Sequence, residues 1–319
     1  MKRVKTALND GHDLFNGGYS VREAPPRPGA NQFSRAVWNK QTAQKAGFFL
    51  LFMCILLTLL FLGSIVYFIF AGGGKVLTWG FLTQWPRNAM TEGGIFPALL
   101  GTFYLTLGAI IAALPLGLAC AIYLCEYTPG NFALNTIRIG INNLAGVPSV
   151  VFGLFGLAVF VKFFGFGVSV LSGSLTLGIL ILPGIISASQ EALIAVPNSL
   201  REASLALGAT QWQTIRKIVL PQALPGILTG VILSVGRAAG ETAPILFTAA
   251  AFYTRKYPDS PFSEVMALPY HIYALMTEGT HPRQQTTIAY GSALVLLILV
   301  LFISGTAVFI RQRQRSING

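Results

Sequence analysis

The sequence has little charge for its length. Only 10% of its 319 residues are charged, whereas an ordinary soluble domain has about 25%. Hydrophobic residues make up 53% of the chain, and its mean hydropathy is +0.64. This composition excludes an ordinary soluble protein, and it excludes a disordered chain, which needs high charge and low hydrophobicity. We therefore expect an all-α, polytopic membrane protein whose apolar residues face lipid.

Cysteine and acidic residues are also scarce. The three cysteines, Cys54, Cys120 and Cys125, lie in or beside apolar runs, so a disulfide framework and a zinc site are both unexpected. Basic residues outnumber acidic ones by 22 to 11 and give a net charge of +11. These basic residues are scattered among apolar runs and form no basic face with interleaved aromatics. The charge therefore indicates orientation in a membrane, and nucleic-acid binding is not expected.

Six apolar runs are each long enough to cross a hydrocarbon layer, which takes roughly 20 helical residues. They cover residues 48–70, 98–124, 144–164, 170–188, 224–251 and 288–310. Six crossings place both termini on one side, and Lys and Arg are more frequent on that side, so both termini are predicted to be cytoplasmic. The predicted organisation is a polar, disordered cytoplasmic tail (1–46), a membrane domain (47–311) and a short cytoplasmic tail (312–319).

The cytoplasmic segment 197–221 has the pattern of a helix, a break and a second helix. Ser199 with Glu202 is a capping-box pattern that predicts the first helix, and Gly208 suits a left-handed helix end. Thr210 with Gln213 predicts the start of the second helix, on which Trp212, Ile215 and Val219 share a face. Such a segment either docks a partner or packs against its own bundle or the bilayer surface.

The residues of this segment resemble the EAA signature of ABC-importer permeases. That signature is Glu-Ala-Ala, three residues, Gly, nine residues, then Ile, any residue and Leu-Pro. This chain has Glu202-Ala203-Ser204, Gly208 and Ile218-Val219-Leu220-Pro221, and it departs only at Ser204. The resemblance implies that the segment forms coupling helices in a groove of a separate ATPase. Glu202, Ala203, Gly208, Ile218, Leu220 and Pro221 are then the coupling residues.

No phosphate-binding loop is evident in the chain. The nearest approach is Gly72-Gly73-Gly74-Lys75, which lacks the leading Gly, the following hydroxyl residue and a flanking strand. We read it as an outside turn after the first span. The chain is therefore expected to hold no cofactor, and ATP and Mg²⁺ are expected to bind the partner ATPase.

The fifth apolar run contains a charged pair. Arg237 and Glu241 are four residues apart, so they share a helix face and can form an ion pair. Counted from residue 224, Arg237 lies roughly 20 Å along the helix, in the outer half of the membrane. An ionisable residue at that depth usually faces a cavity or a partner. The pair either fixes helix register or lines a polar pathway in which the guanidinium meets an oxyanion.

A narrower resemblance covers about residues 90–310. Gly240-Glu241-Thr242-Ala243-Pro244, Asn143-Leu-Ala-Gly-Val-Pro148 and Tyr123-Leu-Cys-Glu-Tyr127 resemble the A-type permeases of phosphate ABC importers. The family fold is a six-helix type I (MetI-like) permease in the bacterial inner membrane. The resemblance implies that Arg237, Glu241 and Thr242 line the substrate pathway. It also implies a C-type permease, an ATPase dimer and an extracytoplasmic phosphate-binding protein as partners, with phosphate as substrate and lipid around the spans.

Three alternatives stay open at this point. One is a permease for another oxyanion, such as sulfate or molybdate. A second is a secondary transporter, for which one Arg-Glu pair is thin support. A third is a membrane enzyme, but His12, His271 and His281 have no spacing suited to a metal site or a nucleophilic triad.

Overall fold

The computed structural model describes residues 30–88, 90–127, 132–251, 253–254, 257–279 and 281–318. The predicted disorder of residues 1–29 lies outside the described residues. Helix α1 begins at Ala30, so the stretch 30–46 of the predicted tail is helical. The last helix, α12, continues to Asn318 and includes most of the short tail predicted after residue 311.

Helices make up nearly all of the described secondary structure, and their bounds are as follows. They are α1 (Ala30–Gly73), α2 (Trp79–Thr83), α3 (Phe96–Ile122), α4 (Phe132–Ala145), α5 (Ser149–Gly156), α6 (Val170–Ile194), α7 (Asn198–Ala206), α8 (Gln211–Thr214), α9 (Leu220–Gly240), α10 (Ala243–Thr248), α11 (Leu268–Thr277) and α12 (Pro282–Asn318). Three π-helical segments extend them: Tyr123–Tyr127 follows α3, Leu157–Phe163 follows α5, and Ile215–Val219 joins α8 to α9. The strands β1 (Pro86–Arg87) and β2 (Glu92–Gly93) form an antiparallel pair.

Six membrane crossings are present if a bent helix pair counts as one. Five straight helices are long and apolar enough: Thr42–Gly73, Phe96–Tyr127, Val170–Ile194, Gln211–Gly240 and Pro282–Thr306. The sixth combines Thr136–Ala145 with Ser149–Phe163, which are bent by 100°. The apolar side chains of the first crossing, such as Leu57 and Phe61, are exposed, which suits a helix surrounded by lipid.

The third crossing differs from its prediction. The run 144–164 was expected to be one helix, whereas the helix begins only at Ser149 and a separate helix, α4, precedes it. The bend falls at Val147-Pro148. Proline has no N–H to donate, and it pushes the residue before it out of the helical region.

The fifth crossing was also predicted incorrectly. The run 224–251 is divided into α9, which ends at Gly240, and the short helix α10. Glu241 between them has an extended backbone (φ −75°, ψ 132°), so the helix ends before Pro244, which lies in the first turn of α10. At its other end, α9 continues without a break from α8 through the π-helical segment, so the second helix of the cytoplasmic segment is an extension of the fifth crossing.

The main core forms where α3, α6 and α9 pack together. Its fully buried side chains include Leu105 on α3, Ile181 and Ile185 on α6, and Ile227 on α9. Gly230 of α9 lies so close to α6 that a Cβ there would overlap the Cβ of Ala188. Small residues at this contact therefore let the backbones of α6 and α9 approach closely.

Candidate functional site

The cytoplasmic segment folds as two short helices around one left-handed residue. Gly208 has φ +81°, as its position predicted. The Gly208 N–H donates to the Leu205 carbonyl (2.9 Å), and the Ala209 N–H donates to the Ser204 carbonyl (3.2 Å). This is the bonding pattern of a glycine-ended helix, and it satisfies two terminal carbonyls of α7.

The two predicted helix starts had different outcomes. The Thr210–Gln213 capping box is present: the Gln213 side chain accepts from the Thr210 N–H (2.9 Å), and the Thr210 hydroxyl accepts from the Gln213 N–H (3.3 Å). The Ser199 cap is wrong, because α7 begins at Asn198 directly after Pro197 and has no side-chain cap. Proline already holds the φ angle suited to a helix entry.

The exposed surface of this segment carries three large apolar side chains among polar ones. Ile215 and Val219 are buried in the bundle as predicted, but Trp212, expected on the same face, points away and is 55% exposed. Leu207 is 90% exposed and Leu205 is half exposed. We call Leu205, Leu207 and Trp212 the coupling patch. Large apolar side chains grouped on a surface of this kind mark interaction sites.

The EAA residues divide between this surface and the bundle. Glu202, Ala203, Gly208 and Pro221 are exposed, whereas Ile218 and Leu220 are partly buried. Ser204, the one departure from the signature, is buried, and its hydroxyl hydrogen-bonds the hydroxyl of Thr214 (2.8 Å). The two helices of the segment are thus joined to each other.

A partly buried ion pair between the segment and the end of the second crossing was not predicted. The Arg201 guanidinium on α7 lies 2.9 Å from the Glu126 carboxylate at the end of the second crossing. The two residues are 75 positions apart, so no local spacing could have paired them. The only signal in the sequence was the presence of Glu126 in the Tyr123–Tyr127 motif.

The second candidate site is the charged pair at the end of α9. Arg237 Nε donates to Glu241 Oε1 at 3.4 Å, which is a long, single contact. The Arg237 side chain is 56% exposed and that of Glu241 is 18% exposed. Such a weak contact contributes at most about 1 kcal/mol, so the guanidinium remains available to a ligand.

A cavity of about 490 Å³ opens beside this pair. Arg237 and Glu241 line it together with Gly236, Gly240 and apolar side chains of α1, α11 and α12, such as Ile69 and Leu297. A cation surrounded by apolar walls and small residues can attract an anion, because the walls do not compete for it. Arg237 lies about 25 Å along α9 from Leu220, in the half of the crossing farther from the coupling patch.

Thr242 lies next to this cavity in the chain but is not part of its lining. It precedes α10, and its carbonyl accepts from the Leu246 N–H (3.1 Å). The structure therefore brings Arg237 and Glu241 together at the cavity, whereas Thr242 lies in the turn between α9 and α10. Among the described residues, no group of three or more His, Cys, Asp or Glu side chains is placed to hold a metal ion.

A buried histidine lies on α11, which packs against α3, α9 and α12. His271 of α11 is 2% exposed, and neither of its ring nitrogens has a hydrogen-bond partner among the described residues. Burial disfavours the charged imidazolium and lowers the pKa of His271 from 6.5 to about 4. Its neighbour Ile272 lines the Arg237 cavity, so this neutral histidine is one position from the wall of that site.

Comparison with known proteins establishes the class to which this fold and these sites belong. Residues 113–315 match the family model described as the binding-protein-dependent transport system inner membrane component. The chain belongs to that family: it is a multi-pass inner-membrane permease subunit of an ABC importer, a transport component without an ATPase site of its own.

Individual relatives cover most of the chain. It is 33% identical over 274 residues to the probable ABC transporter permease protein YqgI of Bacillus subtilis, covering 82% of this chain and 93% of that protein. It is 38% identical over 277 residues to the phosphate transport system permease protein PstA 1 of Mycobacterium tuberculosis H37Rv, covering 85% and 87%. Its fold is similar to a chain of a bacterial alginate ABC transporter crystallised with its substrate-bound periplasmic protein, with a TM-score of 0.62, 15% identity and coverage of 86% and 97%.

Proposed function

We propose that this chain is the A-type permease subunit of an ATP-driven importer of inorganic phosphate. The observation that carries the proposal is the exposed Arg237 guanidinium in a cavity of the far half of the bundle whose other lining residues, apart from Glu241, are glycine or apolar. Its planar donors suit two oxygens of a tetrahedral oxyanion. The similarity to a permease named for phosphate transport supports phosphate among such anions.

In this proposal Glu241 keeps the site from binding too tightly. The carboxylate is on the same side of the cavity as Arg237 and makes one long contact with it. An entering anion displaces that contact, and the carboxylate recovers it when the anion leaves. A transport pathway needs such weak binding, because an ion that is held firmly does not pass on.

The proposed assembly contains this chain, a C-type permease, two copies of an ATPase and an extracytoplasmic phosphate-binding protein. The coupling patch is the proposed contact with the ATPase, which would bind ATP and Mg²⁺. Both termini would then be cytoplasmic, since six crossings return the chain to its starting side and the excess of Lys and Arg falls there. Closure of the ATPase dimer on ATP would move the two coupling segments together and open the pathway outward.

Uptake of radiolabelled phosphate at low micromolar concentration tests this proposal. Cells lacking the chain are compared with cells in which it is restored, with arsenate and sulfate as competitors. We expect restored uptake that arsenate blocks and sulfate does not. Competition by sulfate would favour a permease for another oxyanion, and ATP-independent uptake would favour a secondary transporter.

The same assay tests Arg237 directly. Arg237→Ala should lower uptake at least tenfold while the complex still assembles, and Arg237→Lys should recover part of it, because a point charge keeps the attraction without the planar donors. Arg87→Ala is the matched control, since Arg87 is an exposed arginine on β1 outside the cavity. Normal uptake by the Arg237→Ala variant would exclude the pathway role.

A further inference from the structure

The Arg201 side chain on α7 binds the ends of two membrane crossings. Its Nη2 donates to Glu126 Oε1 at 2.9 Å, and its Nε lies 3.3 Å from both carboxylate oxygens. Nη2 also donates to the Leu193 carbonyl (2.8 Å), and Nη1 donates to the Val196 carbonyl (2.6 Å) at the end of α6. One guanidinium on α7 therefore joins the cytoplasmic-segment helix to the ends of two crossings.

This pair is shielded from water. The side chains of Arg201 and Glu126 are 17% and 9% exposed, respectively. Dissolved salt screens such a pair less than a surface pair, and the several hydrogen bonds of the guanidinium hold its orientation. Its geometry thus differs from the Arg237–Glu241 pair, in which the arginine is 56% exposed and has one long contact.

The second helix of the segment reaches the same residue. The Gln211 side chain of α8 donates to the Glu126 backbone carbonyl. Together with the Ser204–Thr214 hydrogen bond, this contact ties α7 and α8 to each other and to the end of the second crossing. The coupling patch faces outward from the unit so formed, and Glu126 is the residue of α3's extension on which both helices meet.

Glu126 itself lies in the π-helical segment Tyr123–Tyr127. A π-helical turn places one extra residue in a helix and is often found at functional sites. Beyond this turn, α3 packs along α6 and α9 in the main core, through residues such as Leu105 and Ile181. A displacement of Glu126 is therefore applied to the end of a helix that is packed against α6 and against α9, the helix that carries Arg237.

We propose that Arg201 and Glu126 are positioning residues that transmit movement of the coupling segment to α3 during the transport cycle. The inference rests on the proposed function only in that the segment must dock an ATPase. Neither residue touches substrate in this scheme. Their role is to make the segment and the second crossing move together, so that ATP-driven movement at the coupling patch reaches the bundle.

The test uses the complete complex reconstituted in lipid, with Arg201→Gln, Glu126→Gln and the exchange variant Glu126→Arg/Arg201→Glu. Glu264→Gln is the matched control, because Glu264 is an exposed carboxylate in the outer segment. We expect the ATPase to co-purify with both single variants and to hydrolyse ATP within twofold of the wild type. Phosphate transported per ATP should fall at least fivefold. The exchange variant should regain only part of it, because a carboxylate at position 201 cannot donate to the Leu193 and Val196 carbonyls.

A second readout does not depend on the substrate. Leu233 of α9 is exposed beside Gly230, so a Leu233→Cys variant, with Cys54, Cys120 and Cys125 replaced by alanine, reports access to the bundle. Trapping the ATPase with ADP and vanadate should change the labelling of this cysteine by an impermeant maleimide in the wild-type background. With Arg201→Gln the change in labelling should be at least threefold smaller. If the wild-type complex moves another anion, the proposed function fails while this labelling comparison still decides the positioning role.

Three results would overturn the inference. Transport per ATP and the labelling change could both remain at wild-type values in the single variants. The ATPase could fail to co-purify with those variants, which would mean that the pair serves docking. The losses of transport per ATP could add when Arg201→Gln and Glu126→Gln are combined, which would mean that the two residues act independently of each other.

Discussion

Substitution of Gly208 tests whether the left-handed turn of the cytoplasmic segment is needed for docking. Its φ is +81°, and a Cβ at this position would meet nothing within 4 Å. The cost of a side chain is therefore backbone strain without a clash. That strain is roughly 1–2 kcal/mol for a residue with a Cβ, more for a β-branched residue and less for asparagine.

The unbound segment can relieve this strain by leaving the left-handed turn, but docking through the coupling patch requires the turn. The strain energy is then subtracted from the free energy of ATPase binding. One to two kcal/mol corresponds to a factor of about 5 to 30 in an equilibrium constant. Gly208→Ala should weaken ATPase binding by about that factor, Gly208→Val by more and Gly208→Asn by less, and transport per ATP should fall in the same order.

Titration of the purified ATPase onto the permease in nanodiscs measures this directly. The control is Gly140→Ala, because Gly140 is a helical residue of α4 with nothing within 4 Å and no positive φ. That variant should bind as the wild type does. Equal binding by Gly208→Val and Gly208→Asn would refute the argument, since it would mean that the left-handed conformation at this residue has no part in docking.

Two further predictions concern stability. Gly230→Ala places a Cβ against Ala188 and should destabilise the permease by about 1–3 kcal/mol, as measured by thermal unfolding in detergent. Adding Ala188→Gly should restore most of the lost stability. Failure to restore it would contradict direct packing of the two residues. The second stability prediction concerns His271, whose pKa is about 4 in the folded protein and 6.5 ordinarily. Its contribution to the free energy of unfolding is therefore intact above pH 6.5 and is lost as the pH falls toward 4. From pH 7.5 to pH 5 the loss is about 2 kcal/mol, and His271→Leu should remove this part of the pH dependence of unfolding; an unchanged pH profile would contradict it.

Hydropathy could predict the crossings but not where their helices break. The run 144–164 has no charge at its start, so composition placed the helix entry several residues before Pro148, whereas the helix begins at Ser149. The run 224–251 likewise has enough apolar residues to continue past Gly240, but Glu241 adopts an extended backbone there. Helix propensity depends only on residues near in the chain, whereas both breaks occur where the chain turns to make distant contacts. The first break lets α5 pack on α6, and the second places Glu241 at the cavity.

The candidate sites were predictable only where their residues lie close in the chain. Gly208 and the Thr210–Gln213 cap are local patterns that have the predicted geometry. Arg237 and Glu241 form the expected ion pair, but they do not share a helix face as predicted, because α9 ends at Gly240 and Glu241 is extended. Trp212 could not be assigned to the exposed side, because the π-helical turn Ile215–Val219 adds a residue to the helix and changes which side chains share a face with it.

The sequence by itself determined that this chain lies in a membrane, crosses it six times and carries a helix-break-helix segment with a glycine at the break. These properties follow from composition, from runs of apolar residues and from contacts within a few residues. Only the tertiary structure decided that Arg201 meets Glu126, that α6 and α9 touch at Ala188 and Gly230, and that Arg237 opens onto a cavity. Those pairings join residues far apart in the chain, and the packing of the helices, rather than any local preference, brings them together.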